Sequence, residues 1–273
     1  KPTVRVSMSQ PRGDLEGLLD LREPSIRLPQ VVLAPALREK LDRVVLQQER
    51  RIWLREGNRT PTRRLLFAGP PGSGKTMTAE ALAGQLRLPF LVVRLEALIT
   101  RYMGETSAKL RLVFDETIRH RGVYLFDEFD AVGGKRAATN DVGEMRRVLN
   151  SFLQFMEEPA STDSVILAAT NHPELLDPAL LRRFDEVLQF DMPSPDEICE
   201  VIRNNLRPMK HPRIAWKRVV DAGTGLSQAE LARAADEAAK EALLCERNTI
   251  RTEDLLAQLA ARHDMRVAFS GSK

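Results

Sequence analysis

Cysteine is scarce in this chain of 273 residues, and aromatic side chains make up only 5% of it. The two cysteines, Cys199 and Cys245, are far apart in the sequence, and neither belongs to a C-x-x-C pair. This usage argues against a disulfide framework or a cysteine metal site and is typical of thiols that pack in a reducing compartment. We therefore expect a cytoplasmic protein.

Long hydrophobic runs are also missing, since no apolar stretch approaches the roughly 18 residues that a membrane-spanning helix needs. We accordingly expect no membrane segment. The chain begins at Lys1 rather than Met, so the lack of a targeting signal carries little weight. The H-E-x-x-H pattern of zinc metalloproteases does not occur, which argues against a zinc protease within this chain.

Charge of one sign does not dominate. The 41 basic and 38 acidic residues give the chain a formal net charge of +3. This bias is too small to indicate nucleic acid as a partner, although it leaves room for a local basic groove. With 43% hydrophobic and 29% charged residues, the composition is that of an ordinary globular protein with ample material for a core.

What the chain does contain is the octapeptide GPPGSGKT, residues 69–76, between an apolar run and a helix-like stretch. It matches the phosphate-binding pattern G-x-x-x-x-G-K-[ST] in its strand-then-helix context; a Gly/Pro turn is the alternative. Gly72 and Gly74 allow backbone N–H groups to turn toward a polyanion, and the following helix adds its positive end. Lys75 is then placed to reach the β- and γ-phosphates, and the Thr76 hydroxyl to bind Mg²⁺. The residues predicted to contact ATP here are Pro70, Pro71, Gly72, Ser73, Gly74, Lys75, Thr76 and Met77.

Five short apolar runs alternate with segments of helical periodicity. Strands that are apolar throughout are buried on both faces, which indicates a parallel sheet covered by helices. We therefore predict an α/β fold, a five-stranded parallel-sheet P-loop NTPase domain flanked by helices and followed by a small all-helical lid domain. The predicted strands are Leu65–Ala68, Phe90–Val93, Val123–Phe126, Val165–Ala169 and Val187–Phe190.

Composition changes along the chain predict its division into segments. The first segment is rich in Pro, Arg, Ser and Gly, which is typical of an arm or linker, with docking on a neighbouring domain as the alternative. After Met192 no convincing strand appears, and three helices are predicted, two of them opened by capping-box patterns at Ser194 and Ser227. The predicted segments are an N-terminal arm (1–29), a large α/β subdomain (30–192), a small helical lid (193–265) and a flexible tail (266–273).

Two further apolar strands end in polar side chains. One ends abruptly in the carboxylates Asp127 and Glu128, which are costly near a core. In a phosphate-loop enzyme the first acid holds Mg²⁺ and the second polarises the attacking water, and an acidic loop is the alternative. Asn171 follows another strand, where its amide suits either the γ-phosphate and the lytic water or a turn before Pro173.

The stretch DPALLRRFD, residues 177–185, carries two adjacent arginines, Arg182 and Arg183. A guanidinium is the usual group that neutralises charge spreading over phosphate oxygens in the transition state. Two adjacent arginines are equally compatible with a solvated pair.

In this order and spacing, GPPGSGKT, YLFDEFD, ATN and DPALLRRFD resemble the motifs of AAA+ ATPases, specifically the AAA clade proper. That clade includes proteasomal ATPases, membrane-anchored AAA proteases of bacteria and katanin-like severing enzymes. The resemblance spans about Pro61 to Ala242. It implies that two arginines act in the site of the next subunit, although family members commonly have two residues between them. The catalytic residues implied are Lys75, Glu128, Asn171, Arg182 and Arg183, with Thr76 and Asp127 holding Mg²⁺.

The stretch GLSQAEL, residues 225–231, resembles the start of the family's lid helix. The resemblance implies that Gly225 and Ala229 pack on the adenine and ribose. Gln228 stands where Gly is common, and no sensor 2 arginine is evident. The segment Gln30–Leu33 is implied to lie on the adenine side, although the family's usual Asp-x-x-Gly signature is missing there.

After the second strand, Tyr102, Met103 and Gly104 resemble the aromatic-hydrophobic-Gly pore loop of protein remodellers. A tyrosine on such a loop would grip a polypeptide in the channel of a ring; the alternative is a tyrosine packed at a strand end. Residues 133–141 resemble the second pore loop, although their basic side chains are also compatible with a solvated face.

The resemblance implies an ATP-hydrolysing ring ATPase that remodels, unfolds or translocates protein substrates through a central pore. The partners implied are further copies of the chain in a hexamer, a protein or peptide substrate, and a separate protease or adaptor. Two alternatives remain open. A DNA-directed loader predicts salt-sensitive DNA binding, against which the modest charge argues. A slow nucleotide-switched scaffold predicts a turnover that does not depend on Glu128.

Overall fold

The computed structural model describes residues 13–98, 103–129, 142–159, 162–176, 178–211 and 213–270. Two compact units divide the chain. The first contains the described residues up to Val31 together with Pro35–Gly69 and Lys75–Phe190. The second contains Val32–Ala34, Pro70–Gly74 and the described residues from Asp191 onward.

A sheet of six strands forms the centre of the first unit, in the order β1-β3-β4-β5-β2-β6. Five strands are mutually parallel, as predicted. The strands β2 to β5 are apolar because helices cover them, whereas the edge strand β6 buries only Leu188. The strands are β1 (Leu19–Arg22), β2 (Arg64–Ala68), β3 (Phe90–Val93), β4 (Val123–Phe126), β5 (Val165–Thr170) and β6 (Glu186–Gln189).

The sixth strand corrects the predicted strand count. β1 pairs antiparallel with β3, with Leu19 opposite Val93 and Arg22 opposite Phe90. It lies in the segment interpreted as an arm or linker. For this part of the segment the alternative interpretation, docking on a neighbouring domain, fits the structure better. Its sequence, LDLR, places charged residues at alternate positions, which suits an edge strand but lacks the continuous apolar pattern by which the other strands were recognised.

Helices surround this sheet and fill its core. Phe114 and Phe152 are buried, and their rings lie 5.7 Å and 5.0 Å from that of Phe126 on β4. Short 3₁₀ turns occupy Gly13–Leu15, Leu28–Gln30 and Pro173–Leu175. The helices of this unit are α1 (Pro35–Glu49), α2 (Arg51–Glu56), α3 (Lys75–Leu86), α4 (Leu95–Leu98), α5 (Met103–Arg119), α6 (Val142–Glu157) and α7 (Pro178–Leu181).

The strand register brings the carboxyl ends of β2, β4 and β5 to one edge. Ala68 lies opposite Thr170, and Phe126 opposite Ala168. Backbone hydrogen bonds continue the alignment past the strands, since the Gly69 N–H donates to Thr170 O at 3.2 Å. This edge is where ligands bind in open α/β sheets.

The second unit is helical, with α8 (Pro195–Leu206), α9 (Trp216–Gly223), α10 (Gln228–Leu244) and α11 (Thr252–Ser270). The capping boxes that open α8 and α10 at Ser194 and Ser227 confirm the two sequence patterns. The helix α9 was not predicted, because it is only eight residues long and its N-cap residue, Ala215, makes no side-chain cap bond. The helix α11 continues through Ser270, into the segment interpreted as a tail.

Among the residues that the structure describes, no helix is long and apolar enough to cross a membrane.

Candidate active site

The chain between β2 and α3 turns sharply at Gly69. A Cβ at this position would lie 2.1 Å from the carbonyl oxygen of Phe190, so only glycine allows the chain to leave the sheet here. Within the second unit, Gly72 has a φ of 75°, and its carbonyl accepts from the Ala229 N–H at 3.0 Å. The close approach to Phe190 therefore constrains the turn at Gly69, and a backbone hydrogen bond from Ala229 holds Gly72.

Lys75 begins α3 and is almost fully buried. Its Nζ donates to the carbonyl oxygen of Gly69 at 2.8 Å, which turns the ammonium back toward the start of the loop. A buried cation that is surrounded by little water attracts a polyanion strongly. Ser73 is also buried, whereas Met77 in the first turn of α3 is exposed.

Thr76 and Asp127 are in direct contact. The Thr76 Oγ1 donates to Asp127 Oδ2 at 2.7 Å, and Asp127 Oδ1 accepts from the Glu128 N–H at 2.9 Å. A hydroxyl and a carboxylate are the hard oxygen ligands that Mg²⁺ prefers, and the ion is commonly held by one or two protein groups with substrate phosphates and water. The pair fits this ion, and the described residues contain no cluster of three or more His, Cys, Asp or Glu side chains that would suggest another metal.

Glu128 is exposed and has a φ of 52°. A left-handed backbone costs a non-glycine residue on the order of 1 kcal/mol, so the surrounding structure must hold this turn. The buried Phe129 holds the turn in place, because its N–H donates to Ala169 O at 2.8 Å. With Asp127 and Arg94, Glu128 lines a cleft of about 400 Å³ beside the strand ends.

Asn171 follows β5 and is partly buried. The neighbouring Thr170 makes the local turn, since its Oγ1 accepts from the His172 N–H at 3.0 Å. Thr170 therefore contributes a side-chain hydrogen bond to the turn that was suggested as the role of Asn171. Asn171 lies on the same sheet edge as the residues that follow β2 and β4.

The two adjacent arginines after α7 are both exposed but differ in their contacts. Arg183 forms an ion pair with Glu157 at 2.5 Å, at the end of α6. Arg182 forms no ion pair within the part of the chain that the structure describes. The two arginines therefore differ in their ion pairs, a difference that the sequence alone did not indicate.

Asp185 fixes this arginine segment to the sheet, a role that sequence reasoning missed. Its carboxylate accepts from the Arg63 N–H at 3.0 Å and the Arg64 N–H at 2.9 Å, and it pairs with the Arg64 guanidinium. Burial acts to raise its pKa, but these hydrogen bonds prevail and lower the pKa of Asp185 below its ordinary value.

In the second unit, Gly225 precedes α10 with a φ of 87°, and Ser227 caps the helix. The buried Gln228 donates from Nε2 to Val32 O at 3.2 Å. This contact ties the start of α10 to Val32, one residue of the segment that was predicted to lie beside adenine. Sequence reasoning noted Gln228 only as a departure from the family pattern.

The predicted pore loops are not placed by the structure. Tyr102 and residues 133–141 lie outside the described residues, and Met103 is described only as the first residue of α5. Gly104 is exposed in the first turn of that helix. Their assignment stays a prediction.

Comparison with known proteins places this geometry in a family. Residues 65–192 match the AAA family, the ATPase family associated with various cellular activities. An uncharacterised AAA family ATPase of Sinorhizobium fredii, y4kL, is 34% identical over 85% of this chain and 70% of its own length. The crystal structure of the FIGL-1 AAA domain shares the fold, with a TM-score of 0.71 and 22% identity over 93% of this chain and 91% of that one.

Two relatives are considerably longer. The ATP-dependent zinc metalloprotease FtsH of Acidothermus cellulolyticus is 38% identical over 70% of this chain, which spans 30% of that protein. A probable 26S proteasome regulatory subunit 10B of Caenorhabditis elegans is 35% identical over 72% of this chain and 50% of its own length. From its fold, its strand-edge residues and these similarities, the chain belongs to the AAA family of ATPases, enzymes that bind and hydrolyse ATP.

Proposed function

We propose that this chain uses Mg²⁺-ATP hydrolysis in a hexameric ring to remodel, unfold or translocate protein substrates through a central pore. The observation that carries the chemical part is the contact between Thr76 and Asp127, 2.7 Å apart at the strand edge where Lys75 begins α3. The names of two relatives, a regulatory subunit of the 26S proteasome and an ATP-dependent metalloprotease, support a role in handling protein chains.

Substrate binding begins at the phosphate loop. Lys75 would exchange its hydrogen bond to Gly69 O for the β- and γ-phosphates, and the N–H groups of residues 70–74 would face the same oxygens. Gly225 and Ala229 would pack beside the adenine and ribose, and the segment Gln30–Leu33 would also contribute to the adenine side.

Mg²⁺, held by Thr76 and Asp127, would neutralise phosphate charge and orient the γ-phosphate for in-line attack. Glu128 would accept a proton from the attacking water, and its exposed carboxylate in the cleft is accessible to that water. Asn171 would hold the γ-phosphate and the water in position by its side-chain amide.

The arginines would complete the site of a neighbouring subunit. The contacts favour Arg182 as the group that reaches the γ-phosphate, because Arg183 is engaged by Glu157 within its own chain. A guanidinium supplied in trans typically contributes a factor of about 10³ or more to turnover. Hydrolysis would therefore depend on assembly.

We expect the pore loop to couple ATP hydrolysis to movement of the substrate. Tyr102, with Met103 and Gly104, would contact an unfolded chain in the channel without reading its sequence. A separate protease or adaptor is the partner that we propose, and the name of one relative, a probable regulatory subunit of the 26S proteasome, supports it.

The replacement Tyr102→Ala tests this function. ATPase activity is expected to persist while unfolding of a fluorescent-protein substrate bearing an unstructured tail is lost, and Tyr102→Phe is expected to retain both. Normal unfolding by Tyr102→Ala would refute threading, and a turnover insensitive to Glu128→Gln would instead favour a nucleotide-switched scaffold.

A further inference from the structure

A cluster of arginines lies where β2, β4 and β5 begin, at the end of the sheet opposite Asp127. The strand starts are aligned there, because the Ile166 N–H donates to Arg63 O at 2.7 Å and the Val165 N–H donates to Gly122 O at 2.9 Å. Every residue of the cluster belongs to the first unit. We define the arginine cluster as Arg51 and Arg55 on α2, Arg63 before β2 and Arg121 before β4, together with Asp163 before β5.

The arginine cluster holds more positive than negative charge. Asp163 is 4% exposed and pairs with Arg55 at 2.5 Å. Its negative charge also acts to raise the pKa of Arg63 and of Arg121, so one carboxylate serves three guanidinium groups. The cluster contains four arginines and one carboxylate, which is a surplus of three positive charges. Charges that are withdrawn from water are normally paired, so this surplus favours the binding of an anion.

Other carboxylates near the cluster do not remove this surplus. Glu158 and Asp185 are each paired with an arginine outside the cluster. Glu49 and Glu56, at the ends of α1 and α2, are exposed and form no ion pair within the described ranges. Neither of them is among the charged groups that shift the pKa of Arg121. The nearby acids therefore leave the cluster short of negative charge.

Arg121 is held in place without an acidic partner. Its Nη2 donates to Gln48 Oε1 at 3.0 Å, and the fully buried Gln48 donates in turn to Thr62 O at 2.8 Å. The Nε of Arg121 is buried and has no hydrogen-bond partner in the part of the chain that the structure describes. Burial, together with repulsion from Arg51, lowers the pKa of Arg121 to about 10. This guanidinium is therefore fixed in orientation while part of its capacity to donate is unused.

Arg51 and Arg63 complete the positive surface in different ways. Arg63 is buried, but its Nη2 donates to two neutral acceptors, Met156 O at 3.3 Å and Glu158 O at 2.9 Å. Arg51 is partly exposed and forms no ion pair with any residue that the structure describes. Its repulsion of Arg121 shows that the two guanidiniums are neighbours. Two adjacent cations without a carboxylate partner are the arrangement that an oxyanion can bridge.

We propose that Arg51 and Arg121 bind an oxyanion of the phosphate type, either the free ion or the phosphate group of a larger molecule. Guanidinium groups bind phosphate oxygens through paired N–H donors, and a dianion offsets more of the surplus charge than chloride or a single carboxylate does. The site is separate from Lys75 and Thr76, which follow the opposite end of β2. It does not depend on the proposed function.

Calorimetric titration with inorganic phosphate at constant ionic strength tests this site. The phosphate loop also attracts phosphate, so the titration uses Lys75→Ala as the parent protein. One phosphate is expected to bind this parent saturably. Addition of Arg121→Gln or Arg51→Gln is expected to weaken the binding at least about tenfold, since a charge-assisted contact is lost in each case. Arg51→Gln keeps the test valid if Arg121→Gln does not fold, because Arg51 is partly exposed.

The matched control is Arg43→Gln, which removes an exposed arginine of α1 outside the cluster. In the same parent it is expected to bind phosphate with unchanged affinity. Melting curves give a second readout, because a ligand of the folded state raises its stability. Phosphate is expected to raise the melting temperature of the parent and of Arg43→Gln, and to leave that of Arg121→Gln unchanged.

A phosphomonoester distinguishes the two sources of the ligand. Glycerol 3-phosphate presents the same charged group on a larger molecule, so its tighter binding indicates a phosphomonoester site and tighter binding of inorganic phosphate indicates the free ion. Lack of saturable binding to the parent would overturn the inference. Wild-type affinity in both Arg51→Gln and Arg121→Gln, or equal binding of chloride, would overturn it as well. ATP hydrolysis by the unmodified chain is measured separately, so neither result decides the other.

Discussion

The Thr76 hydroxyl donates a 2.7 Å hydrogen bond to the Asp127 carboxylate and so joins the first turn of α3 to the end of β4. These residues are 51 positions apart in sequence. Two oxygen ligands of the type that Mg²⁺ prefers therefore share one point on the sheet edge, and each of them is oriented by the other.

Removal of the hydroxyl tests this pair. Thr76→Ala is expected to raise the Mg²⁺ concentration needed for half-maximal ATPase activity by roughly tenfold or more, since a ligand and the orientation of Asp127 are both lost. Thr76→Ser keeps the hydroxyl and is expected to stay close to the wild type. A Mg²⁺ titration of turnover measures both, and an unchanged midpoint for Thr76→Ala would contradict the assignment.

Replacement of the exposed acid separates binding from chemistry. Glu128→Gln is expected to bind ATP normally and to lower turnover by about 10²-fold or more, because the amide does not accept the proton of the attacking water. Equilibrium binding and single-turnover hydrolysis provide the two readouts. Weakened binding with unchanged turnover of the bound nucleotide would show that Glu128 is not the base.

The sequence predicted the parallel strands and their polar ends because each signal is local. Continuous apolar runs mark β2 to β5, and Asp127 or Asn171 directly follows such a run. The edge strand β1 could not be predicted in this way, since four alternating residues become a strand only when β3 offers its edge. Pairing of that kind depends on tertiary context rather than on propensity.

Contacts between distant side chains were beyond local reasoning for the same reason. Nothing near Arg183 indicates that Glu157 pairs with it, and Gln228 meets Val32 across 196 positions of sequence. These contacts arise only once the helices are packed. The sequence therefore predicted candidate residue types for the site, and the structure distinguished the contacts of adjacent ones.

The difference between the two arginines leads to a further prediction. Arg182→Ala is expected to lower turnover of the assembled enzyme by about 10²-fold or more, with ATP affinity preserved, because the guanidinium acts in a neighbouring site. Arg183→Ala is expected to have a smaller effect and to resemble Glu157→Gln, which breaks the same ion pair. Steady-state kinetics above the assembly concentration distinguish these cases, and a larger loss for Arg183→Ala would reverse the assignment.

The turn at Gly69 predicts a large loss of stability on substitution. Gly69→Ala would push a Cβ to 2.1 Å from a backbone oxygen, so the loop or β6 must move, at a cost of about 3 kcal/mol or more in the free energy of unfolding. Gly57→Ala is the matched control, since its Cβ would meet Leu54 O at an ordinary 3.4 Å. Urea unfolding measures both variants, and equal midpoints would contradict the packing described for Gly69.

The lowered pKa of Asp185 predicts a defined pH dependence. A carboxyl whose pKa is lower in the folded state stabilises the fold above its unfolded pKa of about 4, and that contribution is lost as the pH falls through the folded pKa. Asp185→Asn is therefore expected to destabilise the protein by about 2 kcal/mol at pH 7, where the carboxylate accepts charge-assisted hydrogen bonds from Arg64. The difference from the wild type is expected to shrink steadily below about pH 4, where the wild-type carboxyl also becomes neutral.

Glu186→Gln is the control, because its ion pair with Lys40 is solvent-exposed and contributes at most about 1 kcal/mol. Thermal unfolding of the three proteins between neutral and acidic pH measures the effect, and a pH-independent difference for Asp185→Asn would show that the carboxylate charge does not fix the arginine segment to β2.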